Sequence, residues 1–205
     1  MKDVRKLFLL AAAAAICMPS AFAQSTTTTP TTTTPPTVNQ RKNYQQQRIG
    51  NGVENGSLTA GETHSLEKQE THLNTEEHNM RTQDDGHLTA ADRAKLNGQQ
   101  NHLSNEIYQD KHNAAHQNLN PQSEVGQRQR LQQERIGQGI KSGQLTSRES
   151  SHLEGREAAT NHEIARDRAA NGGKLTPGER AGVNRQQNRT SRGIYNKKHN
   201  GRARG

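Results

Sequence analysis

The chain has 205 residues, a formal net charge of +8, 27% hydrophobic residues and only 2% aromatic residues. So polar a composition supplies little apolar surface for a large core, and a deep enzyme pocket is therefore not expected. We assign no catalytic residue, because no Ser-His-Asp order, glycine-rich phosphate loop or pair of carboxylates stands out. The acidic residues are expected at helix starts and on exposed helix faces.

Residues 1–23 have the three parts of a secretory signal peptide. Positive charges come first, at Lys2, Arg5 and Lys6, and an apolar run follows over Leu7–Ile16. The small-residue cleavage pattern is Ala21-Phe22-Ala23. We expect cleavage after Ala23 and a periplasmic or secreted mature protein. The apolar run is too short to span a bilayer. Cys17, the single cysteine, lies inside the predicted signal, so helix packing must stabilise the mature chain without a disulfide.

Residues 24–39 are predicted to form a disordered linker. Thr and Pro dominate this stretch, and such a sequence cannot bury apolar surface. A glycosylated stalk and a wall-spanning spacer are the alternatives.

The rest of the chain contains an internal duplication. Residues 48–113 recur at a constant offset of 87 positions as residues 135–200, without an insertion. Roughly 40% of the aligned positions are identical, as in a tandem structural repeat. The duplication predicts repeat unit 1 over 40–113, a hinge over 114–121 and repeat unit 2 over 122–200, followed by a basic tail over 201–205.

A shorter motif, Gly-x-Leu-Thr-x-x-Glu/Asp, occurs twice in each unit and begins at Gly56, Gly86, Gly143 and Gly173. Glycine accepts the left-handed conformation that ends a helix. Thr followed three residues later by an acid forms a capping box that begins the next helix. Together with apolar residues at helical spacing, the motif predicts an all-α fold of two tandem three-helix units. The expected helices span 40–55, 60–84, 90–112, 122–142, 147–171 and 177–198.

The two units differ in charge. Residues 47–113 carry six Lys/Arg and eleven Asp/Glu, whereas residues 134–200 carry thirteen and seven, so the units are near −5 and +6. Oppositely charged units could dock on each other, within one chain or between chains, and bury their apolar stripes. Independent drift of solvated faces is the alternative.

Basic residues are densest near the C-terminus, where no acid follows Glu179. Such a segment suits an anionic envelope surface, while a merely solvated tail is the other interpretation. In an exported protein, binding to nucleic acid is not expected.

The Gly-x-Leu-Thr-x-x-Glu motif resembles the second half of an EF-hand loop, in which the final acid binds calcium. Glu62, Asp85 and Asp92 would be the residues to test. The ligand positions of the first half are mostly lost, and the capping box explains the same acids without metal. His112 and His116 have the spacing that places two imidazoles on one face of a helix, but His116 falls past the repeat and no acid or cysteine nearby completes a metal site. We therefore assign no metal ligand and no cofactor.

Two resemblances follow from these motifs. The whole repeat unit resembles small exported bacterial repeat proteins of unknown function that share the Gly-x-Leu-Thr-x-x-Glu motif. The Leu-Thr-x-x-Glu helix starts are also similar to the Leu-Thr-x-x-Gln motifs of periplasmic chaperones of the Spy and CpxP kind. This resemblance implies a concave surface that binds unfolded clients or a signalling partner. The expected function is a non-enzymatic binding or structural module of the cell envelope. The alternatives are a calcium-responsive EF-hand-like module and a chaperone-like stress protein.

Overall fold

The computed structural model describes residues 35–117 and 122–202, which belong to one compact unit. The predicted signal peptide, most of the predicted linker and the end of the basic tail lie outside the described residues. The described chain forms six helices: α1 (Val38–Asn55), α2 (Ala60–Gln83), α3 (Ala90–His112), α4 (Glu124–Ser142), α5 (Ser147–Ala170) and α6 (Pro177–Lys198). No strand occurs in the described part, and the all-α prediction is confirmed.

The four repeated motifs begin α2, α3, α5 and α6, and each forms the predicted capping box. At the start of α2, for example, the Thr59 hydroxyl accepts from the Glu62 amide at 3.2 Å. The Glu62 carboxylate accepts from the Thr59 amide at 2.8 Å. Gly56 and Gly143, at φ of 74° and 73°, provide the left-handed residues that end α1 and α4. Local hydrogen bonds and left-handed glycines therefore determine the residues at which these helices begin and end.

Two helix starts differ from the expected ones. Helix α1 begins at Val38, two residues early, because Thr37 forms a further capping box with Gln40. Helix α4 begins at Glu124, two residues late, because the Ser123 hydroxyl caps it by accepting from the Gly126 amide. The predicted linker therefore ends before residue 38. Of the predicted hinge, residues 118–121 lie outside the described part.

The two repeats pack face to face, with α2 against α5 and α1 against α4. Residues that are equivalent by the duplication meet one another, so the repeats are related by a pseudo-twofold axis. One apolar core crosses the boundary and contains Ile49, Val53, Leu58, Leu66, Leu103, Ile107, Ile136, Ile140, Leu145, Leu153 and Ile194. Each repeat adds a small cluster of its own, around Leu96 and around Val183. The main core is thus shared by both repeats.

Glycines let α1 and α4 approach closely at the axis. A Cβ atom on Gly50 would lie 2.9 Å from the Gly137 carbonyl oxygen, and one on Gly137 would lie 2.8 Å from the Gly50 oxygen. Real Cβ atoms do not sit so close to backbone oxygen, so any larger side chain would push the helices apart. The Arg-Ile-Gly identity between the repeats therefore marks the helix crossing.

Among the described helices, none is both long enough and apolar enough to cross a membrane.

Candidate functional site at the interface of the repeats

The contacts on the pseudo-twofold axis join equivalent positions of the two repeats. The Lys141 ammonium lies 2.5 Å from the Glu54 carboxylate, and it is the single ion pair between the repeats in the described part of the chain. His64 Nδ1 lies 2.8 Å from the Ser151 carbonyl oxygen, and the Ser151 hydroxyl donates to the His64 carbonyl at 3.2 Å. A single ion pair involves only a small part of the opposite net charges of the two units. Apolar burial and close helix contact therefore supply most of the packing.

Four glutamates are buried where α2 crosses α5, and we call them the interface glutamates: Glu67, Glu70, Glu154 and Glu157. They occupy two pairs of equivalent positions and are all at most 1% exposed. Gln46 donates to Glu67 at 3.2 Å, and the equivalent Gln133 donates to Glu154 at 3.0 Å. Both repeats therefore carry the same polar cluster into the shared interface.

Burial changes the protonation of this cluster. It raises the pKa of Glu157 to about 8, because the ionised carboxylate would lose its hydration. Burial also raises the pKa of Glu154 well above its usual range, and the neighbouring carboxyls of Glu157 and Glu67 add to the increase despite the Gln133 hydrogen bond. Near neutral pH, Glu157 thus holds its proton in the folded chain.

Sequence reasoning placed the acids of the repeats at helix starts and on exposed faces, and for the interface glutamates that interpretation is wrong. They lie inside because the repeats pack on each other through this face of α2 and α5. A signal was present, since Glu-x-x-Glu occurs at the same positions of both repeats. Exposed carboxylates take no part in the packing of the repeats, so packing would not keep them at the same positions as the two repeats diverged.

Two of the three acids that the calcium alternative would use, Glu62 and Asp92, cap helix starts. Glu62 accepts from Thr59 with one carboxylate oxygen and from Asn113 with the other, the latter at 2.7 Å. Hydrogen bonds from Thr89 lower the pKa of Asp92. Asp85 lies in the turn between α2 and α3 at a φ of 50°. The structure therefore gives Glu62 and Asp92 capping partners and does not bring the three carboxylates to one centre.

The histidines near the helix ends contact their own helices. His112 Nδ1 lies 2.7 Å from the Tyr108 carbonyl oxygen, and the two rings stack with centroids 4.2 Å apart. His199 repeats both contacts with Tyr195. His116 lies beyond α3, near the start of α2. Within the described residues, no group of three or more His, Cys, Asp or Glu side chains is placed to hold a metal ion.

Two cavities lie at equivalent places on either side of the axis. The first, which we call the open cavity, has a volume of about 530 Å³ and lies between α1, the second half of α2 and the start of α5. The second has a volume of about 690 Å³ and lies between α4, α5 and the start of α2. We call it the linker cavity after the segment that joins the two repeats, which is distinct from the predicted N-terminal linker. Gln117, from the segment after α3, lines the linker cavity. The surfaces that can receive a ligand between the repeats are thus paired but not identical.

These features define the class of the protein as an all-α tandem-repeat protein with pseudo-twofold symmetry. No protein-family model, curated protein or solved structure matches the chain. The resemblances drawn from the motifs therefore stay predictions.

Proposed function

We propose that this chain is an exported, non-enzymatic repeat protein that binds an anionic surface of the cell envelope through α6. The observation that carries the proposal is a stripe of arginines along that helix. Arg185, Arg189 and Arg192 are spaced by four and three residues, lie on one helical face and are exposed. An exposed basic stripe is attracted to phosphate-rich surfaces.

The other repeat lacks this stripe, although its backbone is equivalent. The equivalent positions of α3 are Gly98, His102 and Asn105. Tyr195 is 59% exposed three residues beyond the last arginine of the stripe, and its amphipathic ring suits an interface between water and lipid. The charge asymmetry of the repeats is therefore concentrated on an outward-facing helix.

Vesicle binding tests this proposal. We expect the full-length chain to cosediment with vesicles that contain an anionic phospholipid and not with neutral ones, and binding should weaken as salt is added. Replacing Arg185, Arg189 and Arg192 together by Gln should weaken binding roughly 100-fold, since each basic residue near such a surface contributes about 1 kcal/mol.

A variant of equal net charge provides the control. It replaces Arg93, Arg130 and Arg166, which are exposed on other helices, by Gln. We expect it to retain most of the binding. Equal losses in both triple variants would contradict a site on α6 and leave only nonspecific attraction by net charge.

Export is tested separately from surface binding. The precursor should yield a mature chain that begins at Gln24 and is recovered outside the cytoplasm, as N-terminal sequencing of fractionated cells would show. Recovery of the uncleaved chain in the cytoplasm would contradict the export part of the proposal alone.

A further inference from the structure

The open and linker cavities are equivalent by the duplication, and comparing them shows what each is built to hold. Each contains the N-terminus of a long helix, α5 in the open cavity and α2 in the linker cavity. The first N–H groups of a helix have no partner within the helix. Each cavity therefore presents backbone donors that need an acceptor.

In the linker cavity, the chain supplies that acceptor itself. The Gln117 side-chain oxygen accepts from the Ala60 amide, the first of α2, at 3.0 Å. The Gln117 amide also donates to the Gly56 carbonyl at 3.0 Å, which holds the segment in place. An oxygen atom in this position thus satisfies the helix start.

In the open cavity, the equivalent position is Ser147, and it lacks an acceptor. Its amide and its hydroxyl have no hydrogen-bond partner among residues 35–117 and 122–202, although Ser147 is only 3% exposed. An unpaired buried polar group costs about 1–3 kcal/mol, so a ligand oxygen that pairs with it is favoured. Residues 203 and 204, which correspond to His116 and Gln117, lie outside the described residues.

The charged residues that line the open cavity indicate which kind of acceptor oxygen a ligand would bring to Ser147. Lys42, Arg81 and Arg148 line it, together with one carboxylate, that of Glu77. Glu77 lies 3.6 Å from the Lys42 ammonium and 2.7 Å from the Arg81 guanidinium, so one negative charge faces two positive ones. Arg148 is exposed at the second position of α5 and adds a further positive charge.

The linker cavity has a single cation at the matching positions. At the positions equivalent to Lys42, Arg81 and Arg148, the linker cavity has Gln129, Arg168 and Gly61. A neutral amide oxygen suffices there. The excess positive charge and the positive end of the α5 dipole favour an anion in the open cavity.

We propose that the open cavity is a binding site for the phosphate group of a small ligand. The Ser147 amide and hydroxyl donate to one phosphate oxygen, and Arg148 and Lys42 neutralise its charge. A phosphate has enough acceptor oxygens for these donors, and the cavity volume leaves room for an organic substituent beside it. This site is distinct from the arginine stripe on α6.

The test is an NMR titration of the full-length chain with inorganic phosphate and, in parallel, with glycerol 3-phosphate. We expect saturable shifts of the Ser147 and Arg148 amides with either probe, and tighter binding of glycerol 3-phosphate if the substituent contacts the cavity wall. The Ala60 and Gly61 amides are the internal control and should not shift. Equal shifts at both helix starts, or no shift at Ser147, would overturn the proposal.

Residues from the linker cavity provide the matched variants. Ser147→Ala with Arg148→Gly installs the residues at which α2 begins, so the helix start is one that this fold already accepts. We expect phosphate binding to weaken at least 10-fold. Lys42→Gln, the residue of the linker cavity, should weaken it several-fold. Unchanged affinity in both variants would refute the site, whereas vesicle binding through α6 should be unaffected in either.

Discussion

The two repeats share a backbone and differ most informatively where they meet. Both carry the interface glutamates, the axial glycines and the capping boxes, whereas Glu54 faces Lys141 and His64 faces Ser151. On a twofold axis, identical residues would face themselves. A pair of identical repeats would therefore set Glu54 against another Glu54, which is unfavourable. The divergence of the repeats makes pairing within one chain better than pairing of like with like.

Separating the repeats should have the largest effect. Residues 35–117 and 122–205, made as two chains, should each lose most helical structure, because Ile49 and Ile136 would lose the shared core. Circular dichroism of each chain and of their mixture measures this. We expect mixing to restore the helical signal, with a 1:1 complex in sedimentation. A cooperative melt of either chain as a monomer would show that the core of one repeat suffices.

The interface glutamates should make stability depend on pH. In the folded chain the pKa of Glu157 is about 8, above its ordinary value of 4.5, so the folded state retains a proton that the unfolded state has released. The stabilising effect of protonated Glu157 is complete below pH 4.5 and is lost as pH rises to 8. Between pH 5 and pH 8 this loss is on the order of 4 kcal/mol in the free energy of unfolding.

Urea unfolding of Glu157→Gln against wild type isolates this effect from the other titrating groups. The variant should lose much less stability between pH 5 and pH 8, and at pH 8 it should be the more stable protein. Glu124→Gln, at an exposed site on α4, should follow the wild-type profile. Parallel profiles for wild type and Glu157→Gln would mean that this carboxyl titrates as an exposed one.

The axial ion pair should have the smallest effect. Glu54→Lys would set two cations against each other at a partly buried site and cost about 1 kcal/mol. Adding Lys141→Glu should recover most of that loss, because the exchanged pair occupies equivalent positions. Thermal melts of both single variants and the double variant would give the coupling. Additive losses would show that the two side chains do not interact.

Local sequence was a good guide to the helices. The capping boxes at Thr59, Thr89, Thr146 and Thr176 begin helices at the predicted residues, since a cap depends on side chains within three positions. Helices α1 and α4 begin two residues away from their predicted starts, because Thr37 and Ser123, the residues that cap them, lie outside the repeated motif.

The candidate sites were much less predictable. Glu67 and Lys42 look like ordinary surface residues in the sequence, yet both are buried. Ser147 looks like one more residue of a capping box. Its missing acceptor becomes visible only beside Ala60 and Gln117, because the comparison requires knowing which chain segment covers each helix start.

The sequence by itself determined the all-α class and the ends of most helices, because these depend on hydrogen bonds and glycine conformations within a few residues of one another. The tertiary structure alone decided that the repeats share one core around a pseudo-twofold axis, that four glutamates are buried in it and that one of two equivalent cavities is left cationic. These features depend on which faces of distant helices meet, and the free energy of that packing is spread over contacts between residues far apart in the chain.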